Sequence, residues 1–387
     1  MNRRLLLTLT GIALAAVILA GQVRQLLADP SIWPPDDFIE YWAAARLTLD
    51  GDNAYDGAKL LPLQIAAGRD TDKAVMMWNP PWSLAIVMPL GLFPAREAQL
   101  LWLLVNLAAI GFCGDRLWQM LGGRRDHRWI GWAAALAFLP TLFALQSGQI
   151  GPLVLLGAVL FLECVRRGWP VAAGAATLLL AVKPHLAYLV WIAILCDALA
   201  LRRRGMILGG ILAGLIATAI PLAFNPHLFQ QYADAMVHRT PDEWLSPTWG
   251  SVLRLIFGED RFKLQFIPML FGLVWFAWHW KKTGSQWNWT EQLPLLLLVS
   301  FTTAPYGAWP FDMVLLLPAA VKLLTLRRPA ILAALLAINL GCLAMNLCQT
   351  GSFPFLWVSP AMLALYQWSM RPAASTSPSR ACPAVAV

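Results

Sequence analysis

Residues 201–226 read LRRRGMILGGILAGLIATAIPLAFNP, and this stretch decides the fold class. Between Arg204 and Asn225 no side chain is charged, and twenty such residues wound as a helix reach about 30 Å, the thickness of a bilayer's hydrocarbon core. Arg202, Arg203 and Arg204 stand at the start of the run, as basic residues do at the cytoplasmic end of a membrane span. The pattern repeats along the chain. About twelve apolar runs, at about 5–27, 96–118, 129–146, 150–165, 169–183, 185–200, 205–224, 265–280, 291–305, 311–326, 329–347 and 354–370, read as spanning helices. Every second connection between them is basic: Arg3 and Arg4, Arg124 and Arg125, Arg166 and Arg167, the three arginines above, Lys281 and Lys282, Arg327 and Arg328, and Arg371 all fall on one side. Both termini are then expected in the cytoplasm.

Composition agrees with this reading. Of 387 residues, 59% are hydrophobic and 13% charged, against roughly 45–50% and about 25% in soluble globular chains. The net charge of +8 is accounted for by the inner loops, so a nucleic-acid partner is not implied. Cys113, Cys164, Cys196 and Cys342 lie inside apolar runs, which excludes a secreted disulfide scaffold. The five histidines are dispersed, with no His-x-x-x-His or Cys-x-x-Cys spacing. Asp50-Gly-Asp52 and Asp70-Thr-Asp72 have a cation-binding form, but Ala54 and Tyr55 break the calcium-loop pattern after the first. No Gly-x-x-x-x-Gly-Lys phosphate loop is present. No metal and no cofactor are expected. The first run reads as an uncleaved anchor, residues 1–370 as a single membrane domain, and the Pro- and Ser-rich 371–387 as a disordered cytoplasmic tail. The chain is thus expected to be an all-α membrane protein with two folded outer loops, 28–95 and 225–264.

The first outer loop carries the densest chemistry. Residues 33–51 predict a short helix opened by Pro and Asp and closed by Gly51, with Phe38, Tyr41, Trp42, Ala45 and Leu49 on one stripe suited to lying along the membrane surface. Asp37 and Glu40 sit one turn apart at its start. Two readings are open: an Asp N-cap with Glu at the third helical position, which is a capping box, or a carboxylate pair in which one group is a general base. Beyond Trp78-Asn-Pro-Pro-Trp82, the short apolar run 83–93 reads as a re-entrant or interfacial helix, since a full crossing would reverse every later basic loop.

At these residues the sequence resembles glycosyltransferase family 87, the bacterial polyprenyl-phosphate-sugar-dependent transferases of GT-C architecture that include mycobacterial mannosyltransferases. The likeness is carried by Asp37-Phe-Ile-Glu-Tyr-Trp-Ala-Ala-Ala-Arg46, Gly51-Asp-Asn-Ala-Tyr55-Asp56, Asn79-Pro-Pro-Trp82 and Pro89-Leu-Gly-Leu-Phe-Pro94. Gln146-Ser-Gly-Gln149, Lys183-Pro-His185 and Ala304-Pro-Tyr-Gly-Ala-Trp-Pro-Phe-Asp312 follow in the family's order. The resemblance implies a GT-C-type helical bundle in the bacterial inner membrane. It also implies transfer of a hexose, mannose or a relative of it, from a polyprenyl-phosphate donor to a glycolipid or glycan acceptor on the outer face, with membrane lipid as surroundings. The position matching the family's proposed base is Asp37. Glu40 departs from many members, which carry an uncharged residue there, and Gly307-Ala308 replaces a more polar stretch.

Such a reaction needs one base opposite a cationic phosphate site. Lys183 and His185, at a span end broken by Pro184, are the first candidates for that site; the bland alternative is a lysine snorkelling to the interface. His238 and Arg239 in the second outer loop are a weaker pair. Glu40, Tyr41 and Gln149 are expected at the substrate, although Gln149 suits a backbone turn equally well. Tyr306, Trp309 and Asp312 suit a sugar, and an interfacial aromatic belt predicts the same Tyr and Trp. A polytopic transporter or lipid flippase is the competing reading. Against it, the polar residues gather at outer span ends and not at the bilayer midplane.

Overall fold

The computed structural model describes residues 21, 24, 25, 29, 31–200, 204–238 and 245–371, residue 285 by its backbone alone. Most of the expected anchor at 5–27, Arg239, and the tail beyond Arg371 lie outside the described residues. Among the described residues the regular structure is entirely helical. In chain order the helices are α1 (Phe38–Leu49), α2 (Gly57–Ala66), the distorted α3 (Pro81–Leu92) and α4 (Ala95–Met120). They continue with α5 (Arg128–Ala137), α6 (Leu139–Gln146), α7 (Gly151–Arg166), α8 (Pro170–Leu180), α9 (Pro184–Ala200), α10 (Arg204–Leu222), α11 (Leu228–His238) and α12 (Trp249–Phe257). The last are α13 (Ile267–Thr283), α14 (Trp289–Thr302), α15 (Leu317–Thr325, entered through a 3-10 turn over Pro310–Leu316), α16 (Pro329–Leu347) and α17 (Val358–Ser369).

Each apolar run from 96–118 onward falls on one of these helices or on a consecutive pair. Three helices, α4, α10 and α16, are long and apolar enough to cross a membrane by themselves. The α5–α6 pair is a fourth if its 58° bend is one broken span. The remaining runs form shorter helices, so the count of twelve is not established. On α10 and α16 only 22% and 17% of the apolar window is buried. Leu208, Ile211, Leu215 and Ile216 on α10, and Leu336 and Leu340 on α16, are exposed, a burden that water does not tolerate over so large an area and lipid does.

Small residues set the closest approaches. Gly174 on α8 faces the Met206 carbonyl of α10, and Gly209 on α10 faces the Val171 carbonyl of α8, each so close that a Cβ has no room. That is how membrane helices gain van der Waals contact without a hydrophobic drive.

The first-loop helix differs from expectation. It does not lie along a surface on one apolar stripe: ten of the 12 residues of α1 are buried, including Ile39, Ala43 and Ala44 on the supposedly open side. The run Ala43-Ala-Ala45 lets neighbours close in on more than one flank. Gly91 of α3 packs so tightly that a Cβ there would sit 2.9 Å from the Ala45 carbonyl carbon and the Arg46 nitrogen. Arg46 Nη1 donates to the Gly91 carbonyl at 2.8 Å, and Trp42 Nε1 to that of Phe93 at 3.0 Å. Helix α1 is therefore a clamped internal element whose N-terminus points into the bundle.

Ion pairs mark the opposite end. Arg116 and Arg167 hold Glu163 near the C-termini of α4 and α7, and Arg128 forks onto Asp115 with two 2.8 Å bonds. Helix α7 has 16 residues, about 24 Å at 1.5 Å per residue, and separates this basic end from Gln149, just ahead of its N-terminus.

Candidate active site

Four turns meet around the N-terminus of α1. The first is the entry to α1 itself. Asp37 occupies the N-cap position but makes no side-chain capping bond, so the capping-box reading fails here. Its carboxylate is engaged elsewhere: Gln149 Nε2 donates to Asp37 Oδ2 at 2.9 Å. The second turn, between α6 and α7, delivers that glutamine. Gly148 sits at φ +67°, and a Cβ on it would lie 2.6 Å from Phe38 Cβ, so only glycine allows the turn to close against α1. The Gly148 carbonyl accepts from Trp102 Nε1 at 2.7 Å, and Phe38 N donates to the Ser147 carbonyl at 3.1 Å.

The third turn, between α8 and α9, presents Lys183 ahead of Pro184. Lys183 Nζ donates to Gln149 Oε1 at 3.0 Å and to Asp312 Oδ1 at 2.7 Å. Asp312 comes from the fourth turn, at 304–312, where its Oδ2 also accepts from Trp309 N at 3.3 Å. Tyr41 OH donates to the same Gln149 oxygen at 2.9 Å. The orientation of the Gln149 amide follows: two donors, an ammonium and a phenol, claim its oxygen, so its NH2 faces Asp37 and requires an acceptor there. Asp37, Gln149, Lys183 and Asp312 thus form one hydrogen-bonded chain from four distant stretches of sequence.

A cavity of about 160 Å³ opens beside this chain. Of the residues expected from sequence, Glu40, Gln149, Lys183, His185, Tyr306 and Trp309 line it. Two others do not. Tyr41 and Asp312 are fully buried, and their polar atoms serve Gln149 and Lys183, so they position the wall and do not form it. His238 is not brought to the site either: it is exposed on α11, with Nδ1 2.8 Å from the Asp234 carbonyl of its own helix. His185 lies stacked on Tyr306, centroids 4.8 Å apart, with Nε2 3.5 Å from the Gly307 carbonyl. Lys183 Nζ lies 5.1 Å from the Phe311 ring centroid.

Asn79, Tyr232 and Phe311 also line the cavity; the first and last stand in the stretches that carry the family likeness, but none of the three was expected from sequence as a site residue. Asn79 Nδ2 donates to the Val182 carbonyl at 3.1 Å, pinning the Lys183 turn. An asparagine before two prolines is a legible mark, whereas nothing in the sequence around Tyr232 distinguishes it from other aromatics.

Electrostatically the site is a buried carboxylate group with one central cation. Burial pushes the Glu40 carboxyl up to about 8, reinforced by the nearby Asp37 charge. Glu40 is therefore mostly protonated at neutral pH. Among the described residues no three His, Cys, Asp or Glu side chains converge as a metal cluster.

The arrangement sets a carboxylate and an ammonium at either end of one amide. A protonated glutamic acid and aromatic faces stand beside them.

The chain is similar in shape to crystal structures of ArnT from Cupriavidus metallidurans, one in the apo state and one bound to undecaprenyl phosphate. Sequence identities are 17% and 16% and TM-scores 0.39 and 0.38, each match covering 92% of this chain and 76% of the other. No curated protein matches the chain. The model of glycosyltransferase family 87 matches residues 78–350, a stretch that holds Gln149, Lys183, His185 and the 304–312 turn and leaves Asp37 ahead of it. With well over half its length in that match, the chain belongs to glycosyltransferase family 87.

Proposed function

We propose that the protein transfers a hexose, mannose by family resemblance, from a polyprenyl-phosphate donor to a glycolipid or glycan acceptor at the outer face of the bacterial inner membrane, within a GT-C-type bundle. Asp37 is the general base. The acceptor hydroxyl gives its proton to the Asp37 carboxylate as its oxygen bonds to the anomeric carbon, and the bond from that carbon to the phosphate oxygen breaks. The electron pair leaves on the polyprenyl phosphate, and displacement from the opposite face inverts the anomeric centre. A phosphate leaving group needs no strong acid, so one carboxylate suffices.

Lys183 is the phosphate-facing cation. An ammonium has three N–H donors, and Gln149 and Asp312 take two, which leaves one for a phosphate oxygen. A protonated Glu40 lowers the negative charge that the phosphate meets. His185 and Tyr306 line the same cavity as further partners for phosphate and sugar. The single observation that carries the reading is the Asp37–Gln149–Lys183 chain, which ties a base and a cation to one amide. Family membership in a transferase class sets the transporter or flippase alternative aside.

The test is Asp37→Asn in the purified full chain supplied with polyprenyl-phosphate mannose and, in parallel, the glucose analogue. Loss of transfer by about 10²- to 10⁴-fold with donor binding retained supports the base; wild-type turnover refutes it. Preference for the glucose donor refutes mannose alone.

A further inference from the structure

Helix α16 carries one amide in the middle of an apolar run. Between Pro329 and Ala344, Asn339 is the only residue with an amide side chain, and Leu336 and Leu340 near it are exposed, as lipid-facing residues are. An amide without partners is costly in hydrocarbon. Asn339 has two: its Oδ1 accepts from Leu139 N at 2.8 Å, and its Nδ2 donates to the Ala137 carbonyl at 2.9 Å. Those peptide groups stand on either side of the break between α5 and α6, where the chain bends by 58°.

The break itself is written into the α5–α6 sequence. Phe138 leaves the helical region, with ψ at 112°, and Pro140 has no N–H to give to the preceding turn. A continuous helix would pair Leu139 N with the Ala135 carbonyl and the Ala137 carbonyl with Thr141 N. Here Thr141 N goes to the Phe138 carbonyl at 2.9 Å, and one side chain from a remote helix takes up both freed groups. The bend is therefore an angle held from outside and not a free hinge.

The outer half of the bent pair leads to the site. Helix α6 ends at Gln146, and Gln149 N donates back to the Ala144 carbonyl of α6 at 2.9 Å, so Gln149 moves with α6. The two groups tied to its amide are not equally backed up. Lys183 keeps Asp312 as a second partner at 2.7 Å, whereas the bond from Gln149 Nε2 is the one side-chain hydrogen bond that the Asp37 carboxylate receives among the described residues. A change in the angle of α6 disturbs the carboxylate more than the ammonium.

We propose that Asn339 is a positioning residue for the transfer reaction: by pairing the peptide groups on both sides of the α5–α6 break it sets the angle of α6 and, through Gln149, the Asp37 carboxylate. It touches no reacting atom. The inference rests on the transferase reading above.

The experiment compares two variants of the full chain in nanodiscs at pH 6. Asn339→Leu keeps the branched shape and removes both bonds; Asn339→Asp, neutral in hydrocarbon, offers one acceptor and one donor in the same places. With polyprenyl-phosphate mannose as donor and a glycolipid extract as acceptor, Asn339→Leu lowers kcat at least tenfold, while the donor KM and farnesyl phosphate affinity stay within threefold of wild type. Asn339→Asp restores kcat to within threefold. Wild-type kcat in Asn339→Leu, a parallel loss of farnesyl phosphate affinity, or an Asn339→Asp variant as slow as Asn339→Leu overturns the proposal. Spin labels on Arg125→Cys and Gln146→Cys, in a chain otherwise free of cysteine, report the bend without turnover. Full straightening lengthens the pair by about 3–4 Å, so the distance distribution widens or shifts outward in Asn339→Leu and returns in Asn339→Asp; an unchanged distribution also overturns the proposal. A wild-type chain that transfers no sugar refutes the transferase reading and not the bend, which the spin labels decide by themselves.

Discussion

Replacing Lys183 by Met separates its two roles. The Lys183–Asp312 pair is buried: the side chains are 12% and 0% exposed. Removing the ammonium leaves a carboxylate with no solvent, and breaking one side of such a pair costs about 3–5 kcal/mol. It also frees Gln149 Oε1 from one of its two donors. Against a total stability of order 5–15 kcal/mol, this loss is large, and Lys183→Met should lower the melting temperature of the detergent-solubilised chain markedly. The double variant Lys183→Met/Asp312→Asn removes the stranded charge and should recover most of the loss. Donor binding should behave differently. A charge-assisted hydrogen bond to phosphate contributes about 1.5–3 kcal/mol, or roughly 10- to 150-fold in affinity, and the double variant restores folding without restoring that contact. The assays are thermal denaturation followed by size exclusion, and farnesyl phosphate titration. A single variant as stable as wild type refutes the buried-pair argument. A double variant with full donor affinity refutes Lys183 as the phosphate ligand.

Two further outcomes follow from the packing around α1. Glu40 titrates near 8 when folded and near 4.5 when unfolded, so the stability it confers as a neutral acid is complete below about pH 4.5 and is lost as pH rises through about 8. Glu40→Gln should flatten the melting temperature profile over that window and raise it above pH 8 relative to wild type; an unchanged profile contradicts the assignment. Gly91→Ala puts a methyl group 2.9 Å from the α1 backbone, an overpacking of about 1–3 kcal/mol. It should lower thermal stability and transfer together by shifting Asp37, and wild-type behaviour in both shows that α1 is not clamped there.

The helices were legible because hydropathy is local. The run 205–224 carries its own evidence in twenty uncharged residues, and the structure places α10 over it. Shorter runs such as 169–183 were legible as helix, but α8 has only 11 residues, and hydropathy does not say whether such a piece crosses or ends inside the bundle. The surface placement of α1 failed for a related reason. A stripe of Phe38, Tyr41, Trp42, Ala45 and Leu49 implies one buried face, and three alanines elsewhere on the helix look neutral. They instead allow close packing on other flanks, which depends on Gly91 and Gly148 from remote segments.

Asp37 shows the same division. Its identity as a carboxylate at the head of a short helix, and the likeness of its surroundings to a known family, are properties of consecutive residues. Whether its carboxylate caps the helix or turns to a remote amide is decided by Gln149, 112 positions away. The sequence by itself determined an apolar helical chain with basic loops in alternation, because period and charge are summed along the backbone. Only the tertiary structure decided which turns meet. The energy of a buried carboxylate, ammonium and amide depends on distances between Asp37, Gln149, Lys183 and Asp312, and no local pattern encodes those distances.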